Sequence, residues 1–313
     1  MTRRLAPRFA GLLVAIGGLA LVPLWVSNPY VLSVLTLAAL YAIFASSWDI
    51  LSGYIGQLNF GHAVFFGAGA YTTGFLGPHL PPLLVFPAGA AAAVVFAFLV
   101  GLPCLKLRGP YLSLTTLVFP LTLERLAFTF RGVTGGEYGI TVSSPLSAIG
   151  LYYASLGLLL ATLGILLAVA ESRIGRTFRA IGDDDQAAMA AGVNTTRFKL
   201  AAFVLGAGLA GLGGVLYAYH IRHVGPEIFG LFTSFSIVIM GIVGGMGTIL
   251  GPALGAYFLT LLGESLRGVE TYRQLIYSAV MILCVMLFPQ GLWGLGRALR
   301  RLAPRSGAGK GTR

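Results

Sequence analysis

The chain has 313 residues, of which 57% are hydrophobic and only 10% charged, with a mean hydropathy of +0.86. Charged residues make up about a quarter of a typical soluble domain, so a soluble globular fold is excluded. The net charge of +11 does not indicate nucleic acid either, because the cations lie in the tails and between apolar runs rather than interleaved with aromatics on one patch.

At the N-terminus, Arg3, Arg4 and Arg8 precede an apolar run from Phe9 to Val26. The run is long enough to span, and no small-x-small cleavage site follows before Asn28-Pro29, so it reads as a first transmembrane helix rather than a signal peptide. Further apolar segments cover 30–50, 57–78, 83–105, 109–130, 152–170 and 198–219, then a long tract at 231–263 and a last span at 274–293. Placing the N-terminus in the cytoplasm puts Lys106 and Arg108 inside, then Arg173, Arg176, Arg179, Arg197 and Lys199, as the positive-inside pattern requires. The basic tail with Arg297, Arg300, Arg301, Arg305, Lys310 and Arg313 wants the same side, so the 231–263 tract must cross twice. The reading is an all-α polytopic transmembrane helical bundle of about ten crossings with both termini cytoplasmic. A cytoplasmic N-tail at 1–8, a transmembrane domain at 9–296 and a basic cytoplasmic C-tail at 297–313 divide the chain.

Cys104 and Cys284 sit in apolar runs and read as small packed hydrophobes, not a disulfide. The longest external loop lies between Arg131 and Leu151, rich in turn-forming glycines, and the stretch from Tyr219 to Gly230 falls on the same side. They read either as a docking face for an external partner or as solvated connectors.

The most unusual apolar segment is Gly53 to Tyr71, GYIGQLNFGHAVFFGAGAY. Its glycines weaken a helix by about 1 kcal/mol each. Gln57, Asn59 and His62 are costly in lipid unless they face protein or a watery path. Two readings stay open: a broken or re-entrant helix beside a path, or close helix packing through small residues. A second Gly-rich interruption holds Gly244, Gly245, Gly247, Gly251, Pro252 and Gly255, and both interruptions end in Gly-Ala-Tyr. Paired interruptions in two halves of a transporter point to a substrate path near the midplane, with Gln57, Asn59, His62, Gly245 and Gly247 as its candidate residues. Asp49, Glu124 and Arg125 lie deep enough in apolar runs to need partners or a place at the surface.

The stretch from Glu171 to Lys199 is the long polar interval of the chain. Asp184 is placed to cap a short helix of methyl-bearing residues that Gly192 stops, preceded by Arg173, Arg176 and Arg179 at every third position. So thin a helix suits a groove on another protein; the plainer reading is a solvated cytoplasmic loop. Gly206-Ala-Gly208-Leu-Ala-Gly211 lies within an apolar span with no strand before it, and Gly309-Lys310-Gly311-Thr312 has Gly where a phosphate loop has Ser/Thr directly after its Lys, so neither marks a nucleotide site. No metal-ligand cluster or nucleophile-base set can be assembled, and no catalytic residue or cofactor is expected in this chain.

Gln186-Ala187-Ala188 followed by Gly192 resembles the Glu-Ala-Ala-x-x-x-Gly loop of ABC-importer membrane subunits, with Gln in the acidic position. From about Ser47 to Phe288 the chain resembles the LivM-type permeases of branched-chain amino-acid ABC importers. The carrying residues are Gly53 to Tyr71, Arg108-Gly109-Pro110-Tyr111, Ser172 to Arg176, Ala202-Phe203 with Ala210-Gly211, Pro226 ahead of Ser236, and Gly244-Gly245-Met246-Gly247-Thr248 through Gly251 to Tyr257. The resemblance implies a bacterial inner-membrane subunit working with a second homologous permease chain, two cytoplasmic ATP-binding subunits and a periplasmic binding protein. It also implies a coupling helix at Asp184 to Gly192, with Arg176, Arg179, Gln186, Ala187 and Ala188 in the docking set. The competing reading is a stand-alone secondary transporter or channel in which Asp49, His62 and Glu124 relay ions.

Overall fold

The computed structural model describes residues 28–105, 107 and 109–268, together with single residues between 18 and 25 and between 278 and 294. Most of the expected first span, much of the last one, Lys106, Arg108 and both tails lie outside the described residues.

Four long apolar helices could each cross a membrane: α1 (Pro29–Ser52), α3 (Pro82–Cys104), α5 (Ala148–Glu171) and α8 (Thr195–Ile221). Between them lie α2 (Ala63–Leu76), α4 (Pro110–Thr129), and two short helices, α6 (Arg173–Asp183) and α7 (Asp185–Ala190). The chain continues with α9 (Leu231–Gly244) and α10 (Leu250–Ser265). The entries to helices are set locally: Asn28 caps α1 with Pro29 behind it, Ser147 caps α5, and Asn194 caps α8 through the Arg197 N–H at 3.1 Å. Each cap satisfies an N–H group that has no partner within its helix.

α1 and α8 are the central helices, while α3 and α5 expose most of their apolar surface. α8 packs on α1, α2 and α3, and α10 packs on α1 and α9. Glycine makes these approaches possible. Gly69 of α2 lies against the Gly211 carbonyl of α8, and Gly214 of α8 lies against the Phe66 carbonyl of α2. Small residues at helix crossings let backbones meet and gain dispersion contacts that lipid cannot supply.

Both expected interruptions are present, and both shift the boundaries of their spans. The 57–78 segment is helical only from Ala63, because residues 53–62 hold a turn built from side-chain hydrogen bonds. The 231–263 tract divides at residues 245–249, where Gly245 and Gly247 take positive φ. Its two arms, of 14 and 16 residues, are each about 21–24 Å long, short of a hydrocarbon core of about 30 Å. They pack back on one another, with Gly244 against the Gly251 carbonyl and Gly255 against that of Met240.

At one end of the bundle, the stretches at 131–151 and 219–230 meet. Ile140 pairs with Val224 and Thr141 with His223 in a two-stranded antiparallel ladder, β1 (Ile140–Thr141) and β2 (His223–Val224). The Val142 N–H adds a bond to the Arg222 carbonyl at 3.0 Å. Beyond β2, the turn Pro226–Phe229 inserts the Phe229 ring over Gly67, stacked on Tyr71 at 5.4 Å.

Candidate functional site

The two Gly-rich interruptions, far apart in sequence, touch. Asp49, fully buried near the end of α1, accepts the Gly247 N–H on Oδ1 at 2.8 Å and the Ile249 N–H on Oδ2 at 3.0 Å. The Ser46 hydroxyl donates to the Ile249 carbonyl at 3.1 Å. Ile249 has φ +62, a left-handed conformation that is costly for a β-branched residue. The bonds from α1 hold it there. A Cβ on Gly53 would strike the Asp49 carboxylate and the Gly247 N–H, so this contact needs glycine. Asp49 therefore has its partner: it caps the break that opens α10.

The first interruption is held just as closely. The Trp48 indole N–H donates to the Asn59 carbonyl at 2.7 Å, the Asn59 N–H to Ser52 Oγ at 3.2 Å, and Asn59 Oδ1 accepts from the Gly61 N–H at 2.8 Å. From α4, the Ser113 hydroxyl donates to the Leu58 carbonyl at 2.8 Å, and Thr116 Oγ1 accepts the Phe60 N–H at 3.2 Å. His62 lies 3.0 Å from the Ser47 hydroxyl and stacks on Phe44. The buried backbone of a broken membrane helix must be satisfied somewhere, and here side chains of α1 and α4 do it.

The candidate path residues thus divide. Asn59, His62 and Gly245 are buried, whereas Gln57 and Gly247 are half-exposed. Leu58 and Met246, which sequence reasoning did not single out, are exposed beside them on the two breaks. Asn59 Nδ2 and Gln57 Oε1 are buried atoms without a hydrogen-bond partner among the described residues. Glu124 is half-buried and Arg125 exposed on the last turns of α4; neither joins His62 or Asp49, so the described residues show no ion relay linking them.

The polar interval folds as two helices against the bundle. In α6, Gly175, Phe178 and Ile181 are buried and the arginines face out. Arg176 donates to the Glu171 carbonyl at 3.2 Å. Arg179 lies over the Tyr54 ring at 5.0 Å, and a Cβ on Gly182 would press on the Tyr54 carbonyl. The loop therefore rests on the first interruption. Asp184 caps α7, its Oδ1 accepting from the Gln186 and Ala187 N–H groups at 2.8 and 3.0 Å. Gly192 ends the turn with φ +85, and none of the described residues lies within 4 Å of a Cβ there.

One expected docking residue is turned the other way. Gln186, Ala187, Met189 and Ala190 face outward, but Ala188 is buried. Its methyl is the one the short helix sets against its own chain, so Ala188 seats α7 rather than presenting to a partner.

A family model for the branched-chain amino acid transport system permease component matches residues 30–288. The chain belongs to this family. It is a permease component of a transport system and not an enzyme. The chain is 28% identical to the high-affinity branched-chain amino acid transport system permease protein LivM of Escherichia coli (strain K12), over 93% of this chain and 77% of that protein. It is 25% identical to LivH, a permease protein of the same description from the same organism, over 83% of this chain and 92% of that one. A shorter match, 34% identical over 142 residues, joins 42% of this chain to 41% of the autoinducer 2 import system permease protein LsrC of Salmonella paratyphi B. No solved structure gives a significant match.

Proposed function

We propose that this chain is the membrane-spanning subunit of an ATP-driven importer of branched-chain amino acids, or of related small amino acids or amides, in a bacterial inner membrane. A periplasmic binding protein delivers the substrate, a second homologous permease chain completes the membrane part, and two cytoplasmic ATP-binding subunits supply the energy. The observation that carries this reading is the exposed face of α7, a capped helix of bare methyl and amide groups on a chain of the permease family. A surface so thin invites a close-fitting groove. The chain itself binds no nucleotide and needs no cofactor in this scheme. The substrate crosses alongside the joined breaks, past Gln57, Leu58, Met246 and Gly247, with Asn59, His62 and Gly245 behind them. Movement of α7 with the ATP-binding subunits shifts the equilibrium between outward- and inward-open states.

We also propose a topology of about ten crossings with both termini cytoplasmic. The joined stretches at 131–151 and 219–230 share one side, and the Tyr54 break, the 245–249 break and the polar interval share the other. Cysteine labelling tests this. In a background lacking Cys104 and Cys284, Tyr138→Cys, at a residue 90% exposed, reacts with an impermeant maleimide from the periplasm. Asp183→Cys, at an exposed residue of the polar interval, reacts only once the inner membrane is opened; the reverse pattern would overturn the topology.

Docking is tested by co-purification of the tagged chain in detergent with its ATP-binding subunits, followed by uptake of leucine, isoleucine and valine. Gly192 is a poor site for mutation because any side chain there strains the backbone at positive φ. Ala187→Arg and Ala190→Arg instead place a bulky cation on the outward face. Each is expected to cost about 2 kcal/mol of docking or more, about thirtyfold in affinity, with the chain still monodisperse. Undiminished retention of the ATP-binding subunits by both variants would remove α7 from the interface.

A further inference from the structure

α7 is short, and a helix of six residues cannot transmit a displacement unless something fastens it to the bundle. Capping by Asp184 is internal to the loop. The methyl of Ala188 resists a push but offers little against a pull. Among the described residues, the polar side-chain tie from α7 to the bundle is an ion pair: Lys199 Nζ, on α8, donates to Asp185 Oδ2 at 2.8 Å, with the lysine side chain 4% exposed and the aspartate 24%. Asp185 Oδ1 is buried without a partner among the described residues, so the carboxylate has sacrificed solvent on one side to meet a single cation.

Resting on the docking reading above, we propose that Asp185 and Lys199 are positioning residues: their ion pair is the strut that carries movement of α7 into α8. A charged pair taken out of water holds in both directions, because separating it strands each charge in a poorly solvating site. The helix it reaches is the right one. α8 packs against α1, α2 and α3, and its Gly206 lies against the Ser47 carbonyl and close to His62, beside the first interruption. One residue before Lys199, Phe198 meets the Phe178 ring of α6 edge-on at 6.3 Å, so α6 and α7 both bear on the start of α8. A displacement of the docked helix is thus delivered to the helix that walls the interruption, and not dissipated in the loop.

The test uses the complete importer in proteoliposomes, with ATP hydrolysis and uptake of radiolabelled leucine measured together. Three variants are compared with the unaltered chain: Lys199→Met, the apolar double Asp185→Leu/Lys199→Met, and the exchange Asp185→Lys/Lys199→Asp. The apolar double matters because replacing both partners leaves no stranded charge, so it folds even if the single variant does not. Expected are retained ATP-binding subunits and continued hydrolysis in the apolar double, but uptake per ATP lowered about tenfold, within the ordinary range of coupling between sites. The exchange restores most of the lost coupling. Normal uptake per ATP in the apolar double would overturn the strut, leaving the pair a local fastening and the docking reading intact. An unaltered chain that retains no ATP-binding subunit would overturn the docking reading and the strut with it.

Discussion

Asp49→Ala is expected to destabilise the folded chain severely and to lower its unfolding temperature well below that of the unaltered chain. The carboxylate is fully buried and holds two backbone N–H groups at the opening of α10. Removing it leaves both donors unpaired in an interior where water cannot replace it. Each unsatisfied buried donor costs about 1–3 kcal/mol, and the strained backbone of Ile249 loses its restraint at the same time. A loss of about 3–5 kcal/mol follows from those terms together. Asp49→Asn keeps an amide oxygen for one N–H and turns an amide NH2 toward the other, so it is expected to be destabilised and not rescued. Thermal unfolding in detergent, read by size-exclusion chromatography, distinguishes this from the secondary-transporter reading. An ion-relay Asp49 predicts an Asn variant as stable as the unaltered chain but dead in transport; a structural Asp49 predicts loss of stability in both variants.

Much of this arrangement was visible in the sequence. The all-α membrane bundle follows from composition and apolar runs, and both interruptions follow from glycine clusters beside polar side chains. The cap at Asp184 and the stop at Gly192 are local signals, and the structure has both. What sequence could not show is contact across distance. Asp49 and its N–H partners are separated by 198 and 200 positions, and a buried carboxylate at the end of an apolar run is equally consistent with a relay or a surface site. The two-residue strands β1 and β2 carry no alternation to read. The facing of α7 was equally hidden: a helix of near-identical methyl groups has no polar side, so nothing in the composition distinguishes inward Ala188 from outward Ala187. Lys199 did carry a signal, as a lone lysine entering an apolar helix, but its partner had to be found in space.

Gly69→Val is expected to disrupt the bundle at its centre, by a route independent of Asp49. A Cβ at Gly69 would overlap the Gly211 carbonyl of α8, and backbone cannot rotate aside as a side chain can. A few positions along the same contact, Gly214 presses on the Phe66 carbonyl, so separating α2 from α8 at one point opens the other. Overpacking in a tight core costs about 1–3 kcal/mol when side chains can shift; here helices must move apart, and the expected cost lies at or above the top of that range. α2 also carries Gly67, against which Phe229 seats, so its displacement loosens the β1–β2 end of the bundle too. Gly157→Ala and Gly164→Ala on α5 provide the contrast, because none of the described residues lies within 4 Å of a Cβ at either position. There the substitution removes glycine from a helix interior and is expected to be neutral or to stabilise by up to about 1 kcal/mol. If Gly69→Val melts in detergent at the temperature of the unaltered chain, the close approach of α2 and α8 is wrong. If the α5 substitutions leave folding intact but weaken recovery of the second permease chain, the open face of α5 is where that chain lies, since alanine then intrudes on a crossing that only the assembled pair contains.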